Sequence, residues 1–230
     1  MSSKVDAFGT SYSLNKISEK NPIVFIHGVG LTKEIWEPQI NFFKDFEEPF
    51  FGITTTVDLT RAYAYCKANA LPIFAYYLHA ANTAVNAIPN FRQRIHKGKI
   101  IAYERIDVST TIARPDHTFG FSMIKHEADF NLFKTHFSAE KERVQSTTQL
   151  MPHGMTDQVV HYSALPWFNF SAVSHARKFS INDSCPKITF GKIQQDAGQV
   201  TLPVSVHAHH ALVDGYHVGL LMEAMQKALD

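Results

Sequence analysis

Hydrophobic positions along this chain recur with two periods, and the periods change from segment to segment. PIVFIHGV, Pro22 to Val29, is a short apolar run with β-branched residues, which predicts a strand. IWEPQINFFKDF, Ile35 to Phe46, carries apolar residues at Trp36, Ile40 and Phe43, a helical spacing that tolerates Pro38 only within a first turn. FFGITTTVDLT alternates and is β-branched, so it predicts a strand. DLTRAYAYCKANA and IFAYYLHAANTAVNAI predict two helices, the second more apolar and therefore more deeply buried. Strands joined around Gly98 follow, over RQRIHKGKIIAYERIDVSTTIA. DFNLFKTHFSAEKERVQST returns to a helix. QVVHYSALPWFNF, PKITFGKI and QVTLPVSVHAHH predict strands bounded by turn residues. GYHVGLLMEAMQKAL predicts a closing helix with Val218, Leu221, Met222, Met225 and Leu229 on one face.

Several strands are consecutive, and no steady strand–helix alternation appears. The fold class this implies is α+β, a mixed, largely antiparallel sheet with helices packed on it. The chain's 230 residues suit one domain, or two small ones, with a core large enough to need no metal or disulfide staple. A formal net charge of +1, with no dense block of Lys and Arg, argues against nucleic acid as a partner. Cys66 and Cys185 form no paired-cysteine motif, and two free thiols in a reducing compartment are expected. No apolar run reaches the length of a membrane span, and the N-terminus lacks the basic-then-apolar form of a signal peptide. A cytoplasmic location is expected.

The stretch with most chemical content is HAHHALVDGYHVG, His207 to Gly219. The strand before it should place Leu202, Val204, Val206 and Ala208 on one face and end near His209; a helix should start near Gly215. His210 and Asp214 would then sit on a strand-to-helix turn, where a side chain can face a cleft. Three readings compete for the histidines. They could satisfy backbone groups in a core. They could bind zinc, but that takes three or four converging ligands, and these point to opposite strand faces. Or one of them could serve as a general base that takes a proton from an alcohol.

The string H-H-A-x-x-D-G, followed by an aromatic and His-Val, resembles the active-site motif of the type A chloramphenicol acetyltransferases, whose core is shared with other acyl-CoA-dependent acyltransferases. FEEPFFGITTTVDLT, LHAANTAVNAIPNFRQRI with Asn86, Pro89 and Arg92, SALPWFNFSAVSHA and PKITFGK resemble further segments of that family in the same order. The likeness runs from about Phe42 to the C-terminus. It implies the acyltransferase fold, with acetyl-CoA as co-substrate, chloramphenicol as acceptor, no metal, and a homotrimer with its sites at subunit interfaces. It implies His210 as the base, Ser163 as donor to the tetrahedral oxyanion, and Thr189 as holder of a water against that intermediate. Asp214 would support the turn that carries the base. Lys192 would lie near a coenzyme A phosphate, although the residue after it is Ile193 rather than an aromatic that covers adenine. Phe43 and Phe119 would line the acceptor pocket, against the alternative that both simply pack in the core.

The N-terminus departs from the pattern. The family opens its first helix with an arginine that pairs with the motif aspartate. Here that position falls on Trp36, and the first arginine is Arg61. Residues 1–41, with FIHGVG and a following W-x-P-Q helix, resemble instead the opening of an α/β-hydrolase, a segment joined to the acyltransferase body within one domain of residues 1–230. No G-x-S-x-G nucleophile elbow occurs, so His27 is not expected to be catalytic. The leading functional expectation is chloramphenicol O-acetylation. A non-catalytic or altered-specificity protein of the same fold, binding acyl-CoA or hydrophobic ligands, is the alternative; an esterase built on FIHGVG ranks below both.

Overall fold

The computed structural model describes residues 3–5, 11–13, 37–43, 46–152, 154, 156–177 and 183–230. A small hairpin pairs β1 (Ser3–Val5) with β2 (Ser11–Ser13), and α1 (Glu37–Phe43) follows. Then come β3 (Phe50–Asp58), α2 (Thr60–Ala68), α3 (Ile73–Ala87) and a 3-10 turn at Pro89–Arg92. A second hairpin joins β4 (Gln93–His96) to β5 (Lys99–Ala102). The chain continues through β6 (Asp107–Ala113), β7 (Phe119–Phe121), α4 (Phe130–Gln145), β8 (Val159–Ala164), β9 (Lys187–Phe190), β10 (Gln194–Asp196), β11 (Gln199–His209) and α5 (Gly215–Leu229).

Seven strands form the main sheet. β11 pairs with β3 along one edge and with β9 and β10 along the other; β8, β6 and β7 continue outward from β9. The β6–β8 and β8–β9 pairings are parallel and the others antiparallel, which is the mixed sheet expected. Two turns are tight because their residues accept left-handed backbone. Lys97 and Gly98 have φ of 48° and 73°, and Ala197 and Gly198 have φ of 44° and 87°. Positive φ at both central positions is what a two-residue hairpin loop needs to match the strand twist.

Alternation along β11 decides what each sheet face holds. Leu202, Val204, Val206 and Ala208 are fully buried on the face covered by α3 and α5. Alanines at 75, 80, 81 and 84 in α3 let its backbone approach closely, and Val218, Leu221, Met225 and Leu229 supply the matching face of α5. Met222, expected on that face, is only partly buried. The motif residues of α3 and its turn are structural. Asn86 clamps the Ile106 backbone, donating to its carbonyl at 2.9 Å and accepting from its N–H at 2.8 Å. Arg92 donates to the carbonyls of Tyr103 and Glu104. Arg94 is fully buried, and its guanidinium donates to four backbone carbonyls, those of Phe91, Gln93, Asp157 and Val159. Such saturation is what lets a cation sit inside a core.

The predicted strand over QVVHYSALPWFNF stops at Ala164, because Leu165 to Phe168 turn out of the sheet. The strand predicted over Pro22 to Val29 lies outside the described residues. Cys66 and Cys185 are free and buried.

Candidate active site

β11 ends at His209, and the turn that follows reaches α5 at Gly215, as the alternation predicts. The two adjacent histidines therefore face different surroundings. His209 is 6% exposed, and its Nδ1 accepts the Ala211 N–H at 3.2 Å. Burial, with Arg177 and His210 nearby and Asp183 opposing them, pushes it down to about 4. It is a neutral, structural ring. The backbone N–H of His210 donates to the Pro49 carbonyl at 2.8 Å, which fixes the residue against the start of β3. Its ring stacks face to face on Phe43 at 4.2 Å and 2°, with Phe51 tilted against it at 4.5 Å. Its Nδ1 is buried without a hydrogen-bond partner, and Nε2 is the nitrogen left open. The imidazole is thus packed against two phenyl rings with one nitrogen left without a protein partner.

Asp214 stands where the sequence expects support for this turn. It caps α5: Oδ1 accepts from the N–H groups of Tyr216 (3.0 Å) and His217 (3.3 Å), and His217 Nδ1 lies 2.8 Å away. The aspartate thus ties the histidine turn to the helix that follows. Trp36, at the position where an arginine was expected, lies outside the described residues.

Ser163 and Thr189 are neighbours across the parallel β8–β9 pair, with their hydroxyl oxygens 2.9 Å apart. Thr189 in turn faces Ser205 on β11, and Thr54 on β3 donates to Ser205 at 3.0 Å. Small hydroxyl residues thus run across four strands on the face opposite the apolar core. Beside them on that face lie His161, Lys187 and His207. Burial, with Lys187 adjacent, pushes His161 down to about 4. Lys187 Nζ meets Asp183 at 2.5 Å. His207 lies so close over Gly52 that a Cβ there would fall 2.5 Å from its Nε2.

The structure joins some of the predicted site residues and separates others. Phe43 meets His210. Ser163 meets Thr189. His210, however, is five residues past Ser205, the residue opposite Thr189. At about 3.3 Å per residue, that puts the histidine roughly 15 Å along the sheet from the hydroxyl pair of the same chain. Phe119 sits on β7, at the edge of the sheet remote from β3 and His210, and is 47% exposed. It is therefore not a buried core residue. Lys192 is exposed. Its backbone N–H donates to the Phe168 carbonyl at 2.7 Å, next to the exposed Trp167 and Phe168.

A family model described as chloramphenicol acetyltransferase matches residues 29–226. The chain belongs to the chloramphenicol acetyltransferase family. Chloramphenicol acetyltransferase 3 of Escherichia coli is 28% identical over 77% of this chain and 84% of that protein. Chloramphenicol acetyltransferase of Bacillus pumilus is 27% identical over 76% of this chain and 81% of that protein. Among solved structures, a chloramphenicol acetyltransferase superposes with a TM-score of 0.78 at 24% identity, covering 85% of this chain and 95% of that one. The cubic core of a pyruvate dehydrogenase multienzyme complex superposes at 0.63 and 15%, covering 89% and 91%. The acyltransferase fold expected from the motifs is thus established.

The same match corrects the reading of the N-terminus. Family likeness begins at residue 29 rather than at about Phe42, so IWEPQINFF lies inside the chloramphenicol acetyltransferase region. The hydrolase-like opening assigned to residues 1–41 has no support. His27 and most of that segment lie outside the described residues. Among the described residues no group of histidine, cysteine or carboxylate side chains could hold a metal ion. No described helix is long and apolar enough to cross a membrane.

Membership of this family implies acetyl-CoA as co-substrate. Ile193, the residue after Lys192, packs against the core. Sequence reasoning missed Phe51, the second ring against His210, although its place in an alternating strand was a usable signal. It also missed His175, whose Nε2 lies 3.3 Å from Thr189 Oγ1, although the residue falls within the segment SALPWFNFSAVSHA.

Proposed function

We propose that this protein transfers the acetyl group of acetyl-CoA to a hydroxyl of chloramphenicol by direct attack. His210 takes the hydroxyl proton at Nε2 as the oxygen adds to the thioester carbonyl. Ser163 donates a hydrogen bond to the tetrahedral oxyanion, and Thr189 supports that intermediate beside it through a held water. The intermediate collapses, the C–S bond breaks, and the thiolate of coenzyme A leaves with the proton returned from His210. Asp214 keeps the turn in place, Phe43 and Phe119 line the acceptor pocket, and Lys192 faces a coenzyme A phosphate. The unit is a single domain over residues 1–230 with an atypical N-terminal segment, working in the cytoplasm where acetyl-CoA is at hand.

The observation that carries the reading is His210 itself, sandwiched by Phe43 and Phe51 with Nε2 open. Its distance from Ser163 supports a second element of the proposal. A base and an oxyanion donor acting on one tetrahedral centre must each come within about 3 Å of adjacent atoms, which a separation of roughly 15 Å forbids. Sites between copies of the chain, in a homotrimer, resolve this: the base of one copy works with the hydroxyl pair of the next.

The test is thiol release from acetyl-CoA with and without chloramphenicol. Chloramphenicol-dependent release that falls by about a thousandfold or more in His210→Ala supports the proposal, because base and positioning are lost together. Near-normal turnover in that variant would refute the role of His210. Saturable acetyl-CoA binding with no thiol release, from folded protein, would favour a non-catalytic member of the family.

A further inference from the structure

The Ser163–Thr189 pair does not end at Thr189. His175, on the segment that crosses the polar face of the sheet after β8, brings Nε2 to 3.3 Å from Thr189 Oγ1, while Thr189 Oγ1 and Ser163 Oγ are 2.9 Å apart. The His175 ring is itself held, edge-on to His207 at 4.8 Å and 83°. Each hydroxyl has one proton to give, so three polar groups in a row can point that proton in only one of two directions.

If the neutral imidazole carries its hydrogen on Nε2, that N–H donates to Thr189. Thr189 then donates to Ser163, and the Ser163 O–H is free for an outside acceptor. If the hydrogen is on Nδ1, Nε2 accepts from Thr189, Thr189 accepts from Ser163, and Ser163 offers only lone pairs to the reacting centre. An oxyanion there would be repelled rather than stabilised.

We propose that His175 is a positioning residue: its Nε2–H sets the direction of the Thr189–Ser163 hydroxyl chain, so that Ser163 presents a proton to the oxyanion of acyl transfer. This rests on the role given to Ser163 above. Burial, with His207, Lys187 and His161 around it, pushes His175 down to about 4, so at neutral pH the ring is uncharged and carries a single proton. Thr189 is 1% exposed, which limits competition from solvent for that hydrogen bond.

The experiment is a double-mutant cycle in the thiol-release assay with acetyl-CoA and chloramphenicol, on variants whose thermal unfolding is checked first. His175→Leu should lower kcat by about tenfold with KM for acetyl-CoA little changed, the size expected when a donor is misdirected rather than removed. His175→Gln, whose amide N–H reaches about as far, should recover most of the loss. In a Ser163→Ala background, His175→Leu should cost nothing further. An equal loss in both backgrounds, or no loss in the first, would overturn the proposal while leaving the acetyltransferase reading standing. Turnover untouched by Ser163→Ala would instead remove the role of Ser163 and this inference with it. Nitrogen NMR of histidine-labelled protein, with His175→Gln identifying the resonance, reads the tautomer independently of activity: protonation at Nε2 supports the proposal, and protonation at Nδ1 refutes it.

Discussion

If each site takes its base from one copy and its oxyanion donor from the next, two inactive variants should rescue one another. His210→Ala removes the base but leaves Ser163, and Ser163→Ala does the reverse. In a cyclic oligomer assembled at random from equal amounts of the two, a given interface is intact when its base comes from the second variant and its hydroxyl from the first. That occurs at about one interface in four before selection, and at one of the three in any trimer that holds both variants, so assemblies purified on both tags should show about a third of wild-type turnover per site. Separately, the variants should retain about one part in a thousand and one in a hundred, from loss of the base and of an oxyanion donor respectively. Rescue would therefore exceed either parent at least tenfold. Co-expression with two affinity tags and purification on both yields the mixed species, and a chain carrying both substitutions is the control. Mixed assemblies no more active than their parents would place base and donor in one chain. That would refute the argument from the length of β11 between His210 and Ser205.

Other expectations follow from single contacts. Gly52→Ala should cost about 1–3 kcal/mol in urea unfolding, because its Cβ would fall 2.5 Å from His207 Nε2, and His207→Ala in the same chain should restore much of the loss. Arg94→Leu should destabilise by about 3 kcal/mol or more, since it strips donors from four backbone carbonyls in the interior; a loss below 1 kcal/mol would show that water replaces them. Acid should weaken the fold early. His161 and His209 are held down to about 4 by burial, against about 6.5 in the unfolded chain, so below that value the unfolded state takes up protons that the native state excludes. Their contribution is present above pH 6.5 and is lost progressively as pH falls toward 4. His161→Gln should flatten the slope of stability against pH over that window.

Periodicity alone located most of the elements. α3 and α5 declared themselves by apolar positions three and four apart, and β11 by the alternation of Leu202, Val204, Val206 and Ala208, because a helix or strand must present one apolar face to bury. The hairpin turn at Gly98 was equally legible, since positive φ is a local demand. The short strands β7 and β10 were not, because three residues carry too little pattern to stand out from a turn. The site divides in the same way. His210 at the end of a strand, with Asp214 opening the next helix, could be read from local spacing and a motif. Phe43 and Phe51 closing on that ring, Ser163 meeting Thr189 from another strand, and His175 arriving to reach Thr189 are contacts between segments distant in the chain. No local rule ranks them; strand register and the path of the chain across the sheet decide them. The length of β11 belongs with these, since only the paired sheet shows how far His210 stands along the strand from the Ser163–Thr189 pair of the same chain.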